Sequence, residues 1–85
     1  DPAAVAHSKP APDIFLAAAE GVGADIRRCI GIEDAAAGVA AIKAAGALPI
    51  GVGKAENLGS DIALVSGTAE LTYTYLQNVW EQSGR

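Results

Sequence analysis

The chain has 85 residues, 51% of them hydrophobic, with a formal net charge of −4 and an isoelectric point near 4.6. That acidity, with no basic run and no aromatic stacking platform, argues against a nucleic-acid partner or an anionic membrane surface. No stretch is apolar for long enough to span a membrane as a helix, and the sequence reads without a signal peptide. A chain of this length makes one domain at most and buries roughly 60–65% of its unfolded surface. Residues 1–85 show no internal repeat and are read as no more than a single domain. The apolar content is mostly Ala, Val, Ile and Leu, the usual filling of a parallel sheet covered by helices. A single cysteine, Cys29, cannot form an internal disulfide and suits a reducing, cytoplasmic compartment. The chain starts Asp1-Pro2 and contains no methionine, so it reads as a piece of a longer protein.

Residues 1–12 are expected to be extended and irregular, because Pro10 and Pro12 bias the residues before them away from helical geometry. Asp13 to Gly21 reads as a helix with Ile14, Phe15, Ala18 and Val22 on one face and Asp13 suited to its first turn. Arg28 to Ile32 is predicted as a strand with Cys29 inside it, and one of Arg27 and Arg28 half-covered. Asp34 to Ala45 is predicted as an Ala-rich helix with Val39 and Ile42 inward and Lys43 outward. Gly38 permits close approach to the sheet, and Gly46 is the left-handed residue after its end. Leu48 to Val52 reads as the next strand, with Pro49 suited to a strand start or an edge. Gly53 to Ser60 reads as a polar loop and Asp61 to Val65 as a third strand. A last helix is capped by Thr68 and carries the stripe Leu71, Tyr75, Leu76, Val79 and Trp80. Strands separated by a helix in this order imply an α/β fold with a parallel sheet.

The chemistry-bearing residues gather at one strand exit. Glu33 and Asp34 follow the apolar run 29–32, and ligands of parallel sheets bind beyond the carboxyl ends of strands. Two carboxylates there suit Mg²⁺, which takes one or two of them together with substrate phosphate oxygens. The plainer reading of Asp34 is a helix N-cap, and one residue can serve both purposes. Lys9 lies in the stiff loop Ser8-Lys9-Pro10-Ala11-Pro12-Asp13. A lysine is ordinarily a solvated surface charge, but restriction by two prolines reduces the entropy lost on fixing its ammonium. Such a cation can neutralise a phosphoryl group. His7 has no Ser or Cys arrangement around it and reads as a loop residue. Gly51-Val52-Gly53 lacks both the Walker spacing and the dinucleotide fingerprint, so it reads as a tight strand exit.

Ser8-Lys9-Pro10-Ala11-Pro12-Asp13-Ile14-Phe15, and then Gly31-Ile32-Glu33-Asp34 with Gly38 and Ala44-Ala45-Gly46, resemble the third and fourth motifs of the haloacid dehalogenase-like phosphotransferases. Residues 47–53, 58–62 and 68–80 resemble the β-phosphoglucomutase branch of that superfamily. The resemblance implies a Rossmann-like parallel sheet of which this chain is the C-terminal core part, without the N-terminal strand and the helical cap domain. It implies that Lys9 is catalytic and contacts the transferring phosphoryl group. It further implies that Asp34 binds Mg²⁺, with Glu33 beside it directly or through water. The implied reaction interconverts β-D-glucose 1-phosphate and glucose 6-phosphate through an aspartyl-phosphate and β-glucose 1,6-bisphosphate, in a monomeric full-length enzyme. A sugar-phosphate phosphatase of the same superfamily and a non-catalytic acidic α/β interaction module are the alternatives. Many relatives carry Ser after the Glu-Asp pair, where this chain has Ala35. The family's nucleophile and general acid/base lie in an Asp-x-Asp motif, which occurs nowhere in the 85 residues, so the piece alone is expected to be inactive. The missing first strand would adjoin the strand ending at Glu33 and leave it an apolar edge.

Overall fold

A computed structural model describes residues 6–85, and the first five residues of the predicted irregular segment lie outside it. The elements are α1 (Asp13–Gly21), a 3₁₀ turn (Ile26–Arg28), β1 (Ile30–Glu33), α2 (Ala36–Ala45), β2 (Leu48–Val52), α3 (Ala55–Leu58), β3 (Ala63–Val65), a second 3₁₀ turn (Thr68–Glu70) and α4 (Tyr73–Gln82). The three strands form one parallel sheet in the order β1-β2-β3, with Ile30 opposite Leu48 and Ile50 opposite Ala63. This is the predicted α/β architecture.

α2 is the central packing element. Gly38, Ala41, Ile42 and Ala45 recur at helical spacing and are buried together with Val39. Ile42 and the sheet residue Ile50 are fully buried. A Cβ on Gly31 would come within 2.7 Å of the Ile42 side chain, so a glycine in β1 sets how closely α2 lies on the sheet. The helix stops at Gly46, which takes φ +96° and returns its N–H to the Ile42 and Lys43 carbonyls.

Pro49 sits inside β2, the middle strand, rather than at an edge. The Leu48 N–H donates to the Cys29 carbonyl on the β1 side and the Gly53 N–H to Val65 on the β3 side. Alternate residues of a parallel strand face opposite neighbours, so the N–H that Pro49 lacks would face β3. Pairing with β3 starts only at Ile50, and no ladder bond is lost.

Several boundaries differ from the sequence reading. The Asp25 side chain accepts from the Arg27 N–H and closes a turn over 26–28, so β1 starts at Ile30 and runs on through Glu33. Cys29 consequently precedes the strand, half-buried, with its thiol on the Asp25 carbonyl, and Arg27 and Arg28 are both exposed. α2 starts at Ala36, two residues later than predicted. The polar loop 53–60 contains α3, which buries Leu58. β3 is shorter than predicted. Thr68 opens a separate turn, because Glu70 reaches back to Ser66 and Gly67, and Thr72 caps α4 instead. The predicted stripe of α4 faces inward and is half-buried. On α1 the buried residue is Ala19 and Ile14 is 44% exposed, while Val22, just past its end, is 80% exposed. Among the described residues β1 pairs with β2 on one side only, and Ile32 on β1 is 41% exposed.

Candidate active site

β1 ends in Glu33, whose carboxylate accepts three hydrogen bonds. Lys9 Nζ donates to Glu33 Oε2 at 2.9 Å, across 24 residues of sequence. Glu33 Oε1 accepts from the Asp34 and Ala35 N–H groups at 3.1 and 3.3 Å. The Glu33 side chain is only 11% exposed, whereas that of Lys9 is 38% exposed. The Lys9 ammonium holds the Glu33 carboxyl below its usual range, against burial that pushes it up, and the Asp34 N–H adds to the lowering. The Glu33 carboxyl is therefore ionised at neutral pH.

Three further contacts hold Lys9 in place, and none was legible in advance. Its ammonium lies 6.0 Å from the centroid of the Phe15 ring on α1, within cation–π range. The turn that carries it closes with the Ala11 N–H on the Ser8 carbonyl at 3.0 Å. Asp13 Oδ2 pairs with His7 Nδ1 at 3.1 Å and accepts from the His7 N–H at 3.0 Å, tying both ends of the loop together. Asp13 thus works backwards on the loop and does not cap α1, which has Pro12 at its N-cap and no side-chain cap bond. His7, read as a plain loop residue, is half of that latch.

Asp34 is exposed and stands between β1 and α2. The N-cap of α2 is Ala35, with no side-chain bond, so Asp34 does not cap the helix. The carboxylate that binds the backbone here belongs to Glu33. Ile32, Glu33, Asp34, Val52 and Thr68 line an open depression of about 270 Å³ at the carboxyl ends of β1 and β2. Thr68, read as a helix cap, is therefore at the rim of the site.

The donor set has a definite bearing on metals. Among the described residues no cluster of three or more His, Cys, Asp or Glu side chains is positioned to hold an ion. Zn²⁺ in a structural site and Ca²⁺ in a loop both need such a cage. Mg²⁺ does not, since it keeps several waters and takes one or two carboxylates with substrate phosphate. An exposed Asp34 beside a lysine-bound Glu33 fits that cation.

Residues 1–46 match the family model described as haloacid dehalogenase-like hydrolase. The chain belongs to the haloacid dehalogenase-like hydrolase family. It is 46% identical over 83 residues to the Beta-phosphoglucomutase of Bacillus subtilis (strain 168), a match covering 96% of this chain and 36% of that protein. In three dimensions it superposes on a crystal structure of beta-phosphoglucomutase from Clostridium difficile with a TM-score of 0.91 and 38% identity, over 98% of this chain and 37% of that one. A family IA, variant 3 HAD hydrolase from Entamoeba histolytica superposes with a TM-score of 0.75 and 29% identity, over 88% of this chain and 36% of that one. The chain thus spans little more than a third of the length of these relatives.

Proposed function

We propose that the full-length protein containing this chain is a Mg²⁺-dependent β-phosphoglucomutase. It interconverts β-D-glucose 1-phosphate and glucose 6-phosphate through an aspartyl-phosphate and a β-glucose 1,6-bisphosphate intermediate. The observation that carries the reading is the Lys9 ammonium fixed 2.9 Å from a mostly buried Glu33, next to Asp34, at the carboxyl end of β1. Similarity along nearly the whole chain to the Bacillus subtilis mutase supports the choice of reaction.

Each residue has one task in this scheme. Lys9 places a positive charge against the phosphoryl oxygens and, held by Glu33 and Phe15, loses little freedom in doing so. Glu33 orients Lys9 and binds the backbone that carries Asp34. Asp34 would hold Mg²⁺ through its carboxylate, with Glu33 beside it directly or through water. Held there, Mg²⁺ would supply further positive charge against phosphoryl oxygens. The nucleophilic aspartate and the general acid/base come from protein outside these 85 residues, where no Asp-x-Asp occurs. The piece alone is therefore inactive.

A second reading, a sugar-phosphate phosphatase, is favoured by the match to a family described as hydrolases. One assay separates the two. Full-length protein receives β-D-glucose 1-phosphate, Mg²⁺ and a trace of the bisphosphate, with the 85-residue piece alongside. Glucose 6-phosphate from the full-length protein alone supports the mutase. Stoichiometric release of inorganic phosphate without glucose 6-phosphate replaces it with the phosphatase.

A further inference from the structure

Gly38 is buried in the first half of α2, a helix whose positions 36, 37, 40, 41, 44 and 45 are all alanine. Glycine is the poorer choice at an interior helix position, because alanine loses less backbone freedom there. Something specific must outweigh that disadvantage. A Cβ on residue 38 would overlap Cγ, Cδ and Oε2 of Glu33. A flexible side chain could ordinarily move aside, but this one is tethered at both oxygens. Oε2 accepts from Lys9 at 2.9 Å, and Oε1 accepts from the Asp34 and Ala35 N–H groups. Any retreat of Glu33 from α2 breaks one of these bonds.

We propose that Gly38 is a positioning residue: the missing side chain is the space in which the Glu33 carboxylate lies, and through Glu33 it sets the position of the Lys9 ammonium. The geometric half of this stands on the contacts alone. The consequence for catalysis rests on the reading of Lys9 as the phosphoryl contact.

The test uses the full-length protein with Gly38→Ala, Glu33→Ala and the two combined. Turnover, melting temperature and the Lys9 side-chain ammonium resonance in proton–nitrogen NMR are read for each. Gly38→Ala is expected to shift the Lys9 resonance in the direction that Glu33→Ala does, and to lower kcat at least about tenfold. In the Glu33→Ala background the same change is expected to alter kcat less than about twofold and to raise the melting temperature, because the obstacle is gone and alanine favours the helix. An unshifted Lys9 resonance in Gly38→Ala would overturn the geometric half. Equal losses from Gly38→Ala in both backgrounds would show that it does not act through Glu33. A shifted resonance with unchanged kcat would leave the geometry standing and refute the Lys9 reading. If Gly38→Ala does not fold, the double variant must, and failure of both would overturn the proposal.

Discussion

Among the described residues two lysine–carboxylate pairs flank this small sheet, and the shorter one is the less consequential. Lys43 Nζ is 2.6 Å from Asp61 Oδ2, against 2.9 Å for Lys9 and Glu33. The Asp61 side chain, however, is 65% exposed and that of Glu33 only 11%. Water and salt screen the first pair, so closeness there adds little. Lys43 and Asp61 line the larger cavity, about 590 Å³, at the amino end of the strands together with Arg85. The Arg85 guanidinium donates to the Gly46 carbonyl at 2.8 Å, with longer bonds to Arg27 and Ala47. Both cations of that cavity are engaged by the protein itself. At the carboxyl end the smaller depression has an exposed Asp34 beside a lysine that is held in place. The positions of committed and exposed charge, and not volume, distinguish the proposed site from that cavity.

The sharpest way to break this contrast is to remove each lysine in the full-length protein. Lys9→Ala is expected to lower kcat by about 10²–10³, the range for losing one preorganised electrostatic contact. Lys43→Ala should leave kcat within about twofold, since its partner is water-screened. Comparable losses from both would erase the distinction.

Asp34→Asn comes next. Mg²⁺ affinity by titration calorimetry is expected to fall at least about tenfold, by analogy with losses at metal-site partners. Stability should change by no more than about 0.5 kcal/mol, because Asp34 caps nothing. Unchanged Mg²⁺ binding would instead favour a non-catalytic module.

pH sharpens the same pair. The folded-state pKa of Glu33 lies below its unfolded value, with Lys9 as the main cause. Its contribution to stability is complete above the unfolded value, about 4.3, and is lost as pH falls through the lower folded value. Melting temperature followed from pH 7 downward should therefore decline less in Glu33→Gln than in the parent through that acid window. Parallel declines would mean the pair adds nothing to stability.

The smallest effect lies away from the site. Thr72→Ala is expected to cost about 1 kcal/mol by denaturant unfolding, through loss of the α4 cap. Thr68→Ala should cost much less. A reversed order would contradict the assignment of the cap to Thr72.

What could be read in advance follows periodicity and punctuation. β2 was legible to the residue, because an apolar run between Gly46 and Gly53 admits few alternatives. The inward face of α2 followed from spacing alone, and so did the stop at Gly46. Lys9, Glu33 and Asp34 stood out through the prolines and the doubled carboxylate, and the fold brings Lys9 and Glu33 into contact. Illegible were the choices made by competing short polar side chains. Asp25 closes a turn that delays β1, Glu33 takes the backbone contact that Asp34 was expected to make, and Thr72 displaces Thr68 as the cap. Each is a short-range bond from a side chain to the backbone, for which several neighbouring polar residues are equally suited by type. The His7–Asp13 latch spans six residues without any pattern to reveal it. Gly38 was visible as a close-approach glycine, and the sheet residue it approaches is Glu33 at the end of β1.

The most direct test of the account is to watch both lysines during substrate binding. Full-length protein with Mg²⁺ would be titrated with β-D-glucose 1-phosphate while the Lys9 and Lys43 ammonium resonances are followed by NMR. The account predicts a saturable shift of Lys9 and none of Lys43. A shift of Lys43 alone, or of neither, would contradict the placement of phosphoryl chemistry at the carboxyl end of β1.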